Sequence, residues 1–141
     1  MYRIEVSREL KALVLMLHGM QDGTEATMMK IDLTNRVKKL DETWTLILDF
    51  SGFEGTVPAA VKQQKLLAGV FSAASFRKRL LVPSTDTSLL APFDTGSKYT
   101  VVDSFEAAWE LAGGLARSIA IDPPADGTRF PANTFPPVAA K

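Results

Sequence analysis

The sequence predicts an α/β fold: a single layered domain with a mixed, mostly parallel five-stranded sheet and helices packed on it, followed by an extended proline-rich C-terminal arm. Three observations carry this. Apolar runs of strand length alternate with amphipathic helical stretches from Tyr2 to about Gly114, and such alternation implies parallel strands joined by crossovers. The 141 residues are 46% hydrophobic and 23% charged, enough apolar side chain to close one core. Five of the eight prolines fall between Asp122 and Lys141, where Pro123-Pro124 and Pro136-Pro137 deny helix and sheet their hydrogen bonds. The expected division is therefore residues 1–121 as the domain and 122–141 as the arm.

Tyr2 to Val6 is apolar at every second position, a strand with one face buried. Ala12 to Leu17 is more fully apolar, and the short polar link from Ser7 to Lys11 makes the two an antiparallel hairpin. After Gly19 to Gly23, Thr24 stands as a helix cap, and Met29, Leu33, Val37 and Leu40 recur at helical spacing. Trp44 to Phe50 is apolar on both sides, the mark of a central strand. Ser51 to Thr56 reads as a glycine-containing turn. Pro58 then suits a first helical turn, and Val61, Leu66, Leu67, Val70 and Phe71 form the stripe of a second helix running to about Ala74. A fourth strand runs from Phe76 to Val82, closed by Pro83. The long connection Pro83 to Lys98 calls for a helical turn or a binding role. Tyr99 to Val102 is the fifth strand, and Ser104 caps a last helix that buries Phe105, Ala108, Trp109, Leu111 and Ala112, ending near Gly113-Gly114.

Composition narrows the function. Sixteen Lys and Arg balance sixteen Asp and Glu, so the field that draws a protein to nucleic acid or an anionic membrane is missing. No cysteine is present, which excludes disulfides, thiolate metal sites and a cysteine nucleophile. The single histidine, His18, has no partner spacing for metal binding and reads as a polar strand cap. No signal peptide or membrane span is visible, and a cytoplasmic address is expected. No cofactor, metal, nucleic acid or integral membrane contact is expected.

The segment Leu46-Ile47-Leu48-Asp49-Phe50-Ser51-Gly52-Phe53 is similar to the hydrophobic strand ending in Asp-Leu-Ser-Gly that precedes the second helix of STAS domains. Together with the element order from Tyr2 to Gly114, it resembles the bacterial anti-sigma-factor antagonists, above all the SpoIIAA-like branch grouped with SEC14-type lipid-binding folds. That resemblance implies a non-enzymatic regulatory module that binds a protein partner. The phosphorylatable serine motif of the family is not matched: the stretch here is Glu54-Gly55-Thr56-Val57-Pro58. A phosphate on Thr56 would sit at a helix N-terminus, where anions are favoured; the plain role of Thr56 is a helix cap.

Candidate partner-binding residues are Asp49 and Ser51, at the carboxyl end of the central strand where α/β sheets bind ligands, with Thr56, Lys62 and Lys65 beyond them. Asp49 and Ser51 equally suit a turn that bonds to its own backbone. Arg77-Lys78-Arg79 could join Lys62 and Lys65 in a phosphate patch, or protect a sheet edge from aggregation. Asp94-Thr95-Gly96 matches the aspartic-protease triplet, but it sits in a polar loop without the all-β dimer that this chemistry needs, and it reads as a turn. Two alternatives to a partner-binding module stand beside it. One is an apolar or lipid ligand held in a cleft lined by Met29, Leu33, Val70 and Phe71, as the SEC14-like comparison implies. The other is self-association through the arm, anchored by Phe130 and Phe135.

Overall fold

The computed structural model describes residues 1–94, 96 and 98–113. The arm, with Phe130 and Phe135, lies outside the described residues. One compact unit runs from Met1 to Ser104, and a second begins at Phe105.

In the first unit, strand β1 (Tyr2–Ser7) pairs antiparallel with β2 (Ala12–Gln21), in register from Tyr2↔Leu17 to Ser7↔Ala12. Lys11, at φ +53°, turns the chain between them. Helix α1 (Gly23–Val37) follows, then β3 (Thr45–Thr56), a 3-10 turn (Pro58–Ala60), α2 (Val61–Ala73), β4 (Lys78–Val82), a 3-10 segment (Thr87–Phe93) and β5 (Thr100–Val101). The sheet order is β1-β2-β3-β4-β5, with β2 through β5 mutually parallel. The predicted mixed, mostly parallel five-stranded sheet is thus present.

Strand alternation decides which residues meet the helices. The pairs Leu13↔Leu46 and Leu15↔Leu48 place Leu13, Leu15, Leu17, Leu46, Leu48 and Phe50 on one face. There they join Met29 and Leu33 of α1 and Leu67 and Phe71 of α2 in one core. Val14, Ile47 and Leu80 on the opposite face are buried as well, so the central strands are apolar on both sides, as the run from Trp44 to Phe50 predicts.

Several expectations are corrected. The cap of α1 is Asp22, whose carboxylate accepts from the Glu25 N–H at 2.8 Å, and not Thr24; Leu40 lies beyond the helix end. Ser51 to Thr56 is not a turn but the second half of β3, paired with an equally prolonged β2 through His18↔Gly52 and Gln21↔Thr56. On α2 the buried stripe is Gln64, Leu67, Ala68 and Phe71, whereas Leu66 is 47% exposed. Phe76 precedes β4 instead of opening it. The long connection after β4 does carry a helical segment, capped by the Asp86 carboxylate on the Ser88 N–H at 3.0 Å.

The described part of the second unit is helix α3 (Phe105–Leu111), closed by Gly113 at φ +101°. The rings of Phe105 and Trp109 stand 5.7 Å apart, one turn from each other. Ala108 and Ala112 are buried as expected, but Leu111 is exposed.

Candidate functional site

The prolonged ends of β2 and β3 gather most of the candidate residues. Pairing shifts register between Met16↔Asp49 and His18↔Gly52, so β3 carries an extra residue there. Asp49, at the shift, is 8% exposed, and its Oδ1 accepts from both the Ser51 N–H (3.1 Å) and the Ser51 hydroxyl (2.7 Å). Asp49 and Ser51 are therefore brought together, in the side-chain-to-backbone turn that their chemistry allowed. Beyond the shift, His18 lies across Gly52 and Met20 across Gly55: a Cβ on either glycine would collide with the imidazole or with the Met20 Sδ. Glycine is needed at Gly52 and Gly55 for this close approach and not for a bend.

Thr56 closes β3 and caps no helix. The residue before the 3-10 turn is Val57, whose side chain makes no capping bond, and Pro58 fills the first turn as expected. The Thr56 Oγ1 instead accepts from the Gln64 Nε2 at 3.2 Å. Gln64 also donates to the Gln21 Oε1 at 2.7 Å, and Gln21 in turn donates to the Met29 Sδ at 3.3 Å. Both glutamines are buried, at 0% and 1% exposure. This polar junction ties α2 to β2, β3 and α1 and was not anticipated. Its signal was available: Gln64 stands three residues before Leu67 and seven before Phe71, on the buried stripe.

Lys62 and Lys65 are exposed on the first turns of α2. Leu66 lies one turn from Lys62 on the same face. Val57 and Met20 are 38% and 55% exposed: the Val57 N–H donates to the Gln21 carbonyl at 2.9 Å, and Met20 rests on Gly55, one strand position from the buried Gln21 and so on the other face of the sheet.

The basic triplet does not join this group. β5 pairs with β4 only at Leu80 and Leu81, so Lys78 and Arg79 open β4 on a stretch that β5 does not cover, where charge can guard a sheet edge. The Arg79 guanidinium donates to the carbonyls of Phe71 (2.7 Å) and Ala74 (2.5 Å), closing the far end of α2. Nine residue steps along α2 take the chain from Lys65 to its C-cap Ala74, roughly 14 Å. Arg77 donates to the Thr45 Oγ1 at 3.3 Å. The basic residues therefore form no single phosphate patch.

The predicted cleft between the first two helices is closed, because Met29, Leu33 and Phe71 are at most 1% exposed and pack into the core. A cavity of about 410 Å³ lies elsewhere, between the first half of β3, the end of β4 and the 3-10 segment. It is lined by Leu48, Phe50, Leu81, Leu90, Phe93 and Tyr99, among others. Tyr99 is half-buried, and burial pushes its hydroxyl above the ordinary phenol range while the adjacent Arg79 opposes the shift. A phenol raised in the folded state leaves stability intact below the unfolded value near 10 and erodes it above. Thermal melts between about pH 9 and 11 should show that loss, and Tyr99→Phe should reduce it. Part of the loss stays in the variant, since burial raises Tyr2 in the same direction. Asp94, beside the cavity, accepts from the Gly96 N–H at 3.0 Å in a turn.

Among the described residues no three His, Cys, Asp or Glu side chains are grouped to hold a metal ion, and no helix is long and apolar enough to cross a membrane. No family model matches the sequence, and no curated protein matches it. Among solved structures the chain is similar to the anti-sigma factor antagonist SpoIIAA in its unphosphorylated form. The two are 13% identical with a TM-score of 0.58, over 82% of this chain and 100% of the other. The chain therefore has the α/β fold of SpoIIAA, as the strand from Leu46 to Phe53 and the element order implied.

Proposed function

We propose that this chain is a non-enzymatic regulatory domain that docks a protein partner at the carboxyl end of β2 and β3 and the first turns of α2. The observation that carries this reading is the outer surface of the first turns of α2, where Leu66 stands exposed one turn from Lys62 and next to Lys65, with Val57 exposed just before the 3-10 turn that leads into the helix. An apolar anchor flanked by like charge suits an amphipathic partner with acidic residues at its rim. The fold gives this support, because SpoIIAA, with the same architecture, is an antagonist of an anti-sigma factor and so acts on another protein. Thr56 enters this reading as a link between surface and core, since its hydroxyl holds Gln64 under the docking face.

The test compares full-length chain with a Lys62→Glu/Leu66→Asp variant and a Lys38→Glu/Lys39→Glu control that alters charge beyond the other end of α1. Proteins retained by each from the source cells are quantified, and any candidate is purified and titrated directly. Docking at this face predicts a partner bound by wild type and control but at least tenfold more weakly by the first variant, with unchanged melting curves. Equal affinity for all three sinks the assignment.

A further inference from the structure

From the cavity beneath the 3-10 segment we infer a second binding site, for a small apolar ring compound that is neutral or cationic. The site is separate from the docking face and independent of it. Its floor is the sheet: Leu48 and Leu81 are register partners in β3 and β4, and Phe50 continues the same face of β3. Its roof is Leu90, Ala91 and Phe93 of the 3-10 segment, and Tyr99 closes one side. Phe50 and Leu48 are at most 2% exposed and Phe93 is 7% exposed, so the inner wall is fixed core. Thr87 and Asp94, both exposed, stand at the mouth.

Size and lining select the ligand. An apolar void of about 150 Å³ is enough to hold a benzene ring without water, and about 410 Å³ falls in the range of sites for small organic molecules. Among the described residues, six of the nine that line it are Leu, Phe or Ala; the polar ones are Thr87, Asp94 and Tyr99. Asp94 is the one charged residue among them, which favours an amine and disfavours an anion at the mouth. The guanidinium that lies over Tyr99 does not reverse that preference. Arg79 spends its guanidinium on the Phe71 and Ala74 carbonyls and lies over the rings of Phe76 (5.1 Å) and Tyr99 (6.0 Å). A fatty acid or phosphorylated lipid would therefore bring its head group to a carboxylate of like charge.

Three isosteric probes test the inference on the full chain with labelled methyl groups: benzyl alcohol, benzylamine and benzoate, followed by NMR. Benzyl alcohol and benzylamine are expected to shift the methyl signals of Leu48, Leu81 and Leu90 and to leave those of Met28 and Leu66, on the outer helix surface, in place. Benzoate is expected to bind at least tenfold more weakly. Ala91→Trp, which fills the cavity from its roof, should weaken benzyl alcohol at least tenfold. The inference is overturned if none of the probes moves the three leucine methyls at millimolar concentration, if benzoate binds as tightly as the others, or if folded Ala91→Trp keeps its affinity. Should that variant fail to fold, the wild-type methyl map and the order of the three probes decide alone.

Discussion

Replacing Phe50 with alanine is expected to lower the free energy of unfolding by about 3–5 kcal/mol, the range for truncating a buried phenylalanine. The ring is fully buried and is the hub of an aromatic group, 5.9 Å from Phe53 and 4.9 Å from Phe93. Tilted pairs of this kind add to what area burial alone gives. A domain of this size has a total stability of about 5–15 kcal/mol, so the variant should be close to the edge of folding at 37 °C. Urea denaturation at 15 °C, followed by tryptophan fluorescence, measures the change. A loss below about 1 kcal/mol would mean that Phe53 and Phe93 collapse into the space, and that the face of β3 assigned to the core is far more plastic than its packing indicates.

The second large effect is expected at Arg79. Its guanidinium holds two carbonyls at the end of α2, Phe71 O and Ala74 O, and covers the rings of Phe76 and Tyr99. Hydrogen bonds from a charged donor contribute roughly 1.5–3 kcal/mol each when both partners are withdrawn from bulk water. Part of that is recovered when water reaches the freed carbonyls, which leaves an expected loss of about 2–4 kcal/mol for Arg79→Met. Arg79→Lys should restore less than half of it, because an ammonium lacks the planar fork that spans two acceptors. Amide exchange read residue by residue separates this from a general softening: protection should fall first in the last turn of α2. Full rescue by lysine would reduce the role of Arg79 to that of a simple positive charge.

Much of the fold was legible because its signals are local. Alternation in Tyr2 to Val6, the apolar run of Trp44 to Phe50 and the position of Pro58 each report on a few neighbouring residues, and the structure places strand, strand and helical turn where they indicate. The extent of β3 was not legible, because Ser51, Gly52 and Gly55 carry the composition of a turn. They continue a strand because glycine on β3 makes room for His18 and Met20 arriving from β2, and nothing in residues 51–56 announces that neighbour. Asp22 was readable in principle: with Glu25 three residues on, it has the spacing of a reciprocal cap. The buried glutamines were harder. Hydrophobic periodicity treats Gln21 and Gln64 as surface, and only their pairing across 43 positions reconciles them with the core. Of the candidate site, Asp49 and Ser51 do meet, while Lys62 and Lys65 stay apart from the arginines because the helix between them is full length. The cavity depends on where the 3-10 segment returns over the sheet, which is set by packing and not by any motif.

Helix α2 is held at neither end by its own sequence. No side chain caps its start, where Gln64 reaches Gln21 and Thr56, and its last carbonyls wait for Arg79. Short helices are marginal in isolation, so the last turn of this one is expected to close only once β4 has docked beside β3. During synthesis that last turn is therefore expected to stay open until residue 79 has left the ribosome, and a chain arrested before that point should expose the end of α2 to proteases and chaperones.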